Sequence, residues 1–380
     1  MRLSGDVVLI AAFSGRSLAQ SARRAGFRPF VADAFGDLDT RDAAEGLRVI
    51  DGAMETGFHT KPLIAALNEL SQSAPTAPIG LVLGSGLEDK PRLVDALASR
   101  FRLLGCDART LATCKDPKKF FPLLDDLAIP HPETQSTPPD DISAWISKRI
   151  GGSGGRHIRD CSGTPHAKPR RYFQKRLTGT RYSVGALCAG DGTASSTFAL
   201  SRQWISPSPA HPYRFGGCVS APAIDDSLST EMIRYARELS GKLQLRGLVS
   251  CDFIATQGVP YLLEVNPRPG ASLDVLDDRF GSLFAKHIAA CTGEPVSSQQ
   301  GLSSPAKAMA ILHADRGETT LGDTPWPAWS TDRGTPGTFV PLGAPLATAF
   351  AEAPTADAAE ALARERLAEL EDLIYGHAKS

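Results

Sequence analysis

The chain has 380 residues, 42% hydrophobic and 22% charged, with 41 Lys plus Arg against 42 Asp plus Glu and a formal net charge of −1. That length exceeds one ordinary core and predicts two or three domains, and the even charge balance argues against a nucleic-acid binder or an acidic tail. No run of about 18 apolar residues occurs, which excludes a spanning helix and leaves no membrane role. The seven cysteines are odd in number, scattered and without a CxxC pair, and so read as reduced thiols of a cytoplasmic protein, with no disulfide framework and no zinc site.

Val7 to Ala12 is apolar and β-branched behind the charged Asp6, which predicts a buried first strand and not a signal peptide. Ser17 to Ala25 is helix-forming, Pro29 to Ala32 is a second apolar run, and Ile79 to Leu83 is a third that ends in Gly84-Ser85-Gly86 before the helix-like Lys90 to Arg100. Strands and helices alternating with glycine at the turns predict a parallel sheet covered by helices. Asp33 follows the second run, where a dinucleotide-binding fold keeps a ribose-binding acid. The first turn, Phe13-Ser14-Gly15-Arg16-Ser17, lacks GxGxxG, so no dinucleotide is expected.

A helical segment from Pro117 to Leu127 runs into Ile129-Pro130-His131-Pro132, and the prolines predict a boundary near residue 135. Strand-like runs follow at Ile142 to Ile150, Arg171 to Leu177 and Tyr182 to Ala189, and Ser227 to Leu243 has helical spacing. Leu248 to Ala255 and Tyr261 to Val265 read as a hairpin around Gly258. Beyond it lie short Gly- and Pro-rich strands and a closing helix from Asp357 to Tyr375, for which Asp357 and Glu360 form a capping-box pair.

The hairpin carries the strongest chemical signal. With its turn on Gly258, Asp252 stands opposite Glu264, and Glu264 and Asn266, two apart, share a face. Two carboxylates and an amide oxygen on one face of an apolar hairpin repel unless a cation compensates, and hard oxygen donors without His or Cys suit Mg²⁺. The bland alternative is an edge hairpin whose acids face water. Arg268, just beyond, adds a planar cation of the kind that stabilises a moving phosphoryl group.

Lys148 precedes Gly151-Gly152-Ser153-Gly154-Gly155, whose backbone N–H groups could fold over phosphates; a flexible connector is the other reading. Between Lys148 and Arg181 there are ten Lys or Arg against the single acid Asp160, an excess of +9 that marks a solvated face or an anion site. Only Tyr172 and Phe173 are available there for base stacking, which speaks against single-stranded nucleic acid.

In this order the pieces resemble the ATP-grasp ligases, over roughly residues 105 to 290 and more loosely over the whole chain. The resemblance implies an α/β fold: a Rossmann-like pre-ATP-grasp domain at 1–106, a small lobe with the glycine-rich loop at 107–190, a large lobe with the metal site at 191–300, and a β-rich extension ending in a helix at 301–380. It implies ATP with Mg²⁺ or Mn²⁺, metal ligands at Asp252, Glu264 and Asn266, and Arg268 near the γ-phosphate. Lys115, in Cys114-Lys115-Asp116, looks like the first nucleotide-contacting lysine, and Lys148 with Gly151 to Gly155 like the second lysine and its loop. Two positions depart from the family pattern. The adenine hinge reads Gln174-Lys175-Arg176-Leu177 without its usual Glu, and the ribose-binding acid would fall near Arg181, where there is no carboxylate.

The opening residues, Ala19-Gln20-Ser21-Ala22-Arg23-Arg24 and Asp33 to Asp39, are similar to a branch of ATP-dependent carboligases related to biotin carboxylase and found in one-carbon metabolism. A related enzyme of that superfamily joins glutamate to tyramine in methanofuran synthesis. The implied activity is joining a small-molecule carboxylate to an amine through an acyl phosphate in methanofuran- or methanopterin-type cofactor synthesis, by a homodimer. A bicarbonate-using carboxylase, a phosphotransferase and a non-catalytic nucleotide-binding module remain as alternatives, the last because of the altered hinge and Arg181.

Overall fold

The computed structural model describes residues 5–161, 170–190, 197–278, 281–294 and 305–376. It begins with β1 (Val7–Ala11), α1 (Arg16–Arg24), β2 (Arg28–Asp33), α2 (Leu38–Ala43), β3 (Gly46–Val49), α3 (Ala53–Thr56), α4 (Thr60–Ser73), β4 (Leu81–Leu83) and α5 (Pro91–Ala98). The strands form a parallel sheet in the order β3-β2-β1-β4. All five residues of β1 are buried because both faces are covered, as a parallel sheet requires. Leu9 and Ala11 pack with Phe30, Leu63 and Leu67, whereas Val8 and Ile10 pack with Leu18 and with Leu273 and Phe284 from far along the chain. That second cluster fastens the N-terminal sheet to the rest of the molecule. Asp33 is fully buried, and its carboxylate accepts from the amides of Gly15 (3.4 Å), Phe35 (3.2 Å) and Gly36 (2.8 Å). It organises the loop and offers nothing to a ribose, in keeping with the missing glycine fingerprint.

Next come α6 (Ala108–Lys115), α7 (Pro117–Asp126), β5 (Thr134–Gln135), β6 (Trp145–Arg149), β7 (Ile158–Asp160) and β8 (Arg171–Lys175). Asp116 ends α6 and caps α7 by accepting from Lys118 N, with Pro117 in the first turn. The chain therefore turns sharply just after Lys115. The four strands make a small antiparallel sheet, β5-β8-β6-β7.

The remaining elements are β9 (Thr180–Ala189), β10 (Thr197–Ile205), β11 (Phe215–Ser220), α8 (Asp226–Lys242), β12 (Arg246–Thr256), β13 (Val259–Asn266), α9 (Leu273–Leu276), α10 (Ser282–Thr292), β14 (Ala306–His313), β15 (Thr319–Thr320), β16 (Ser330–Thr331), β17 (Phe339–Val340), β18 (Pro345–Ala353) and α11 (Ala356–Tyr375). Eight of the strands form one large sheet, β13-β12-β9-β10-β11-β14-β18-β16. The sheet crosses two expected divisions: β9 belongs to it, and the C-terminal strands β14, β18 and β16 extend it. The α/β class, the parallel first sheet and the closing helix are as the sequence indicates. The capping box is not. Thr355 caps α11 by accepting from Ala358 N, while Asp357 and Glu360 bind Arg202 at 2.6 and 2.9 Å. A half-buried arginine on β10, which no local pattern reveals, claims both carboxylates. Among the described residues no helix is long and apolar enough to cross a membrane.

Candidate active site

Gln257 and Gly258 both have positive φ (50° and 77°), the geometry of a two-residue hairpin turn that matches strand twist. That turn sets the register from Thr256 opposite Val259 to Phe253 opposite Leu262, and a bulge between Asp252 and Phe253 then shifts it by one residue, placing Asp252 opposite Glu264 and Ser250 opposite Asn266. On its other side Asp252 faces Ser183 of β9, whose hydroxyl donates to Asp252 Oδ1 at 2.6 Å. Asn266 Nδ2 donates to Asp252 Oδ2 at 2.9 Å, which turns Asn266 Oδ1 toward Lys115. Lys115 Nζ lies 2.8 Å from both Glu264 Oε2 and Asn266 Oδ1. The hairpin does lie at the edge of the large sheet, but its acids are engaged inside the molecule: Glu264, 29% exposed, meets the Lys115 ammonium, and Asp252 meets Ser183 and Asn266.

The charges are unequal in character. Burial, then the neighbouring Glu264, pushes the Asp252 carboxyl up. Burial also works against the Glu264 anion, but Lys115 and Lys148 outweigh it and hold that carboxyl well down. Lys148, on β6, is buried and donates to Gln174 Oε1 at 2.9 Å; Gln174 Nε2 donates in turn to Thr134 Oγ1 at 3.1 Å. Burial, with Arg181 and Lys115 nearby, brings the Lys148 ammonium down to about 8. Gln174, a polar residue in the sheet interior, therefore orients a lysine. Its neighbours face outward: Lys175 is exposed 3.6 Å from Glu133, and Leu177 is half-buried. Half-buried Arg181 is pulled below its usual range by burial.

The glycine segment is docked, not free. Gly151 and Gly155 have positive φ (72° and 73°), and a Cβ would stand 2.6 Å from the Asp89 backbone at Gly151 and 1.9 Å from Tyr213 O at Gly155. Gly152 packs on the His157 ring, where a Cβ would come within 2.2 Å. His157 Nδ1 lies 3.4 Å from Ser153 O, and Gly154 is exposed with open space around it. The connector reading is thereby corrected, because close contacts to two other parts of the chain need glycine. Lys115, Phe121, Gly152, His157, Tyr172 and Glu264 line a cleft between this loop and the hairpin. Burial pulls the His157 ring down to about 4, so it is neutral there.

At the hairpin's end Arg268 pairs with Glu88 at 2.7 Å. Glu88, Ser183 and Asp89 went unmarked in the sequence. Glu88 could have been found as the one acid two residues after the Gly84-Ser85-Gly86 turn; Ser183 gave no signal. The structure thus gathers Lys115, Lys148, Asp252, Glu264 and Asn266 into one group, with Arg268 and the loop at its edges. Asp252, Glu264 and Asn266 supply oxygen donors only, and the Lys115 ammonium already bridges two of them as a cation. Among the described residues no group of three or more His, Cys, Asp or Glu could hold a metal alone. Two carboxylates and an amide fit Mg²⁺ that completes its shell with phosphate oxygens and water.

Residues 114–272 match the family model described as ATP-grasp domain. The carbamoyl phosphate synthase large chain of Thermomicrobium roseum is 26% identical over 205 residues, covering 48% of this chain and 19% of that protein. The large chain from Archaeoglobus fulgidus is 23% identical over 211 residues, 50% of this chain and 19% of its own length. This chain thus spans about a fifth of the length of those relatives. A solved N5-carboxyaminoimidazole ribonucleotide synthetase with ADP superposes with a TM-score of 0.69 at 14% identity, covering 98% of both chains. The biotin carboxylase domain of Hydrogenobacter thermophilus 2-oxoglutarate carboxylase, a dimer with MgADP, ADP and bicarbonate, gives a TM-score of 0.72 at 11% identity over 95% of this chain and 89% of that one. Campylobacter jejuni biotin carboxylase gives 0.70 at 14% identity over 95% and 91%. At those identities the structures speak for the fold alone, which this chain shares; residues 114–272, the part that matches the ATP-grasp domain model, lie between a parallel N-terminal sheet and C-terminal strands that complete the large sheet.

Proposed function

We propose that the protein is an ATP-dependent ligase that converts a carboxylate into an acyl phosphate and joins it to an amine, releasing ADP and phosphate. The observation that carries this reading is the convergence of Lys115 and Lys148 on Glu264, directly across the hairpin from Asp252. Two ammonium groups suit a triphosphate, and the oxygen face beside them suits its metal. Mg²⁺ held by Asp252, Glu264 and Asn266 would supply charge neutralisation at the β- and γ-phosphates.

The chain's own groups do the positioning. Lys115 and Lys148 orient the triphosphate, and Arg268, fixed by Glu88, stabilises charge on the transferred group. The carboxylate oxygen attacks the γ-phosphorus as the bond to ADP breaks. The amine then attacks the acyl carbon, phosphate leaves, and the amine gives up a proton. The amides of Gly151 to Gly155 line the phosphate side and keep water from the acyl phosphate. No protein nucleophile is needed.

We propose a homodimer in which residues 1–106, 107–190, 191–300 and 301–380 divide the work of the site although the large sheet runs through the last three, with the adenine edge meeting Gln174, Lys175 and Leu177. The finer reading is amide formation with glutamate or another amino acid in methanofuran- or methanopterin-type cofactor synthesis. A second reading, with bicarbonate as the carboxylate, is favoured by the likeness to structures of carboxylating enzymes, one of them holding bicarbonate. The test is ADP release from Mg-ATP with pooled amino acids, amines and bicarbonate, with products weighed by mass spectrometry. A condensation product supports the ligase, and carbon dioxide incorporation supports the carboxylase. A phosphorylated end product would replace both with a phosphotransferase, and ATP binding with no ADP from any pool would favour a binding module.

A further inference from the structure

The β10–β11 hairpin, the residue after the glycine loop and the end of β14 meet in a cluster of positive charge. Arg214, only 1% exposed, is fixed there on every nitrogen. Its Nε donates to Ser206 O (2.9 Å), Nη1 to Asp315 Oδ1 (3.0 Å) and Gly343 O (3.3 Å), and Nη2 to Asp315 Oδ2 (2.6 Å) and Ser206 Oγ (3.3 Å). The loop reaches it by the close approach of Gly155 to Tyr213 and by Phe215 N donating to Gly154 O at 3.0 Å. Arg156 follows directly. Its carbonyl accepts from His211 Nδ1 at 3.2 Å and from Arg159 Nη1 at 2.5 Å.

Neither Arg156 nor Arg159 has an ion-pair partner among the described residues. Arg214 pairs with Asp315 and Arg156 has that same carboxylate as its counter-charge, because Asp160 is held by Arg176 (3.4 Å) and the Tyr213 hydroxyl (2.5 Å). His313, at the end of β14, is 6% exposed, and its Nδ1 has no hydrogen-bond partner. The strain shows in the titration of these groups. Burial first, then Arg214, depresses both Arg156 and His313, and burial with Arg156 depresses His211. Uncompensated like charge around a buried, unsatisfied ring nitrogen is unfavourable in the free protein, and a bound anion relieves it.

We propose that this cluster is the anion subsite of the second substrate, taking a carboxylate or phosphate group, with Arg156 and His313 Nδ1 as its contacts and Arg214 as the fixed charge behind them. It rests on the ligase reading, which requires a second substrate near the loop but does not require this cluster. Arg214 and His313 are too deeply set for a polymer backbone to reach, so a small molecule is the occupant. A neutral imidazole can donate from Nδ1 to such an anion, and the loop that contacts phosphates on one side then contacts the second substrate through Arg156.

The test is isothermal titration of the full chain with inorganic phosphate and, separately, with glutamate. The nucleotide site is filled beforehand with Mg²⁺ and the non-hydrolysable AMP-PNP. One probe should bind the wild type, and its identity tells phosphate from carboxylate. Arg156→Gln should weaken that binding by roughly tenfold or more, the scale of a lost charge-assisted hydrogen bond, with AMP-PNP affinity kept within about threefold. His313→Asn is the second variant and should also weaken the probe; if either variant melts early, the other decides. Binding of neither probe, or equal binding by wild type and the intact variant, overturns the proposal. Failure of the ligase reading would show separately, as absent AMP-PNP binding. The same variant comparison on nucleotide-free protein then still decides the subsite.

Discussion

Arg268 and Glu88 lie 180 residues apart and meet at a single oxygen: Nε and Nη2 of the arginine donate to Glu88 Oε1 at 2.9 and 2.7 Å. The other oxygen, Oε2, accepts from Gly86 N at 2.7 Å, so the carboxylate ties the β4 turn to the end of the hairpin. Burial disfavours the Glu88 anion, but Arg268 and Lys115 outweigh it and keep the group ionised.

Removing Glu88 should leave a mostly buried guanidinium unpaired. Glu88→Ala is expected to destabilise the protein by about 3–5 kcal/mol, the usual cost of breaking a buried pair from one side, measured by urea unfolding. Glu88→Gln should be milder in stability yet lower kcat more than it raises KM, because Arg268 loses its fixed direction. A KM effect alone would make the pair purely structural.

Glu264→Gln removes one proposed metal ligand and the anion that holds Lys115. Turnover should fall by roughly 100-fold or more, as when a group that stabilises transferred charge is lost, while nucleotide affinity falls less. The Mg²⁺ concentration for half-maximal rate should rise. Unchanged turnover and Mg²⁺ dependence would remove the assignment.

Lys148 is protonated in the folded protein only below about 8, against 10.5 for the ordinary side chain. Its charge is lost as pH rises through that value, so nucleotide affinity should weaken above about pH 8, and the dependence should vanish in Lys148→Met. The sign for stability is opposite. A depressed folded pKa means that the unfolded chain binds more protons between about 8 and 10.5, so burying the ammonium costs stability below that window. Lys148→Met should therefore be more stable at pH 7, by roughly 1–3 kcal/mol, while binding nucleotide poorly. Melting curves beside nucleotide titrations read both effects.

His287 clips three parts together: on α10, its Nδ1 accepts from Leu248 N at 2.9 Å and its Nε2 donates to Leu104 O at 2.9 Å. Burial holds the ring down to about 4 from its ordinary 6.5. Stability from this neutral ring is complete above about 6.5 and is lost as pH falls toward about 4, since the unfolded chain takes up the proton first. Urea midpoints should drop from pH 7 to pH 5, and less so in His287→Gln, which starts from a lower stability at pH 7.

Gly155→Ala should disturb the loop and little else. The added Cβ meets Tyr213 O, and the positive φ adds strain. The expected outcome is a several-fold loss of nucleotide affinity or turnover, with a melting temperature shifted by only a few degrees. A fully active variant would mean that the docked loop has no part in the reaction.

The sequence by itself determined the periodic elements and the hairpin. Apolar β-branched runs such as Val7 to Ala11 read as buried strands, and the turn at Gln257-Gly258 pairs the two strands of the hairpin, whereas the bulge between Asp252 and Phe253 that brings Asp252 opposite Glu264 belongs to the folded sheet. The sequence also placed Lys115 just before the proline-led helical segment that starts at Pro117, though not what the lysine would meet. The tertiary structure alone decided which groups answer those residues. Lys115 meets Glu264 across 149 positions, Arg268 meets Glu88 across 180, and Asp357 and Glu360 leave their helix end for Arg202. A hydrogen bond or ion pair depends on a few ångströms of separation, and for residues so distant along the chain that separation is set by how the sheets pack. The glycine loop shows the same division. Its composition is plain in the sequence, but only the approach of Asp89 and Tyr213 makes it a docked wall instead of a tether.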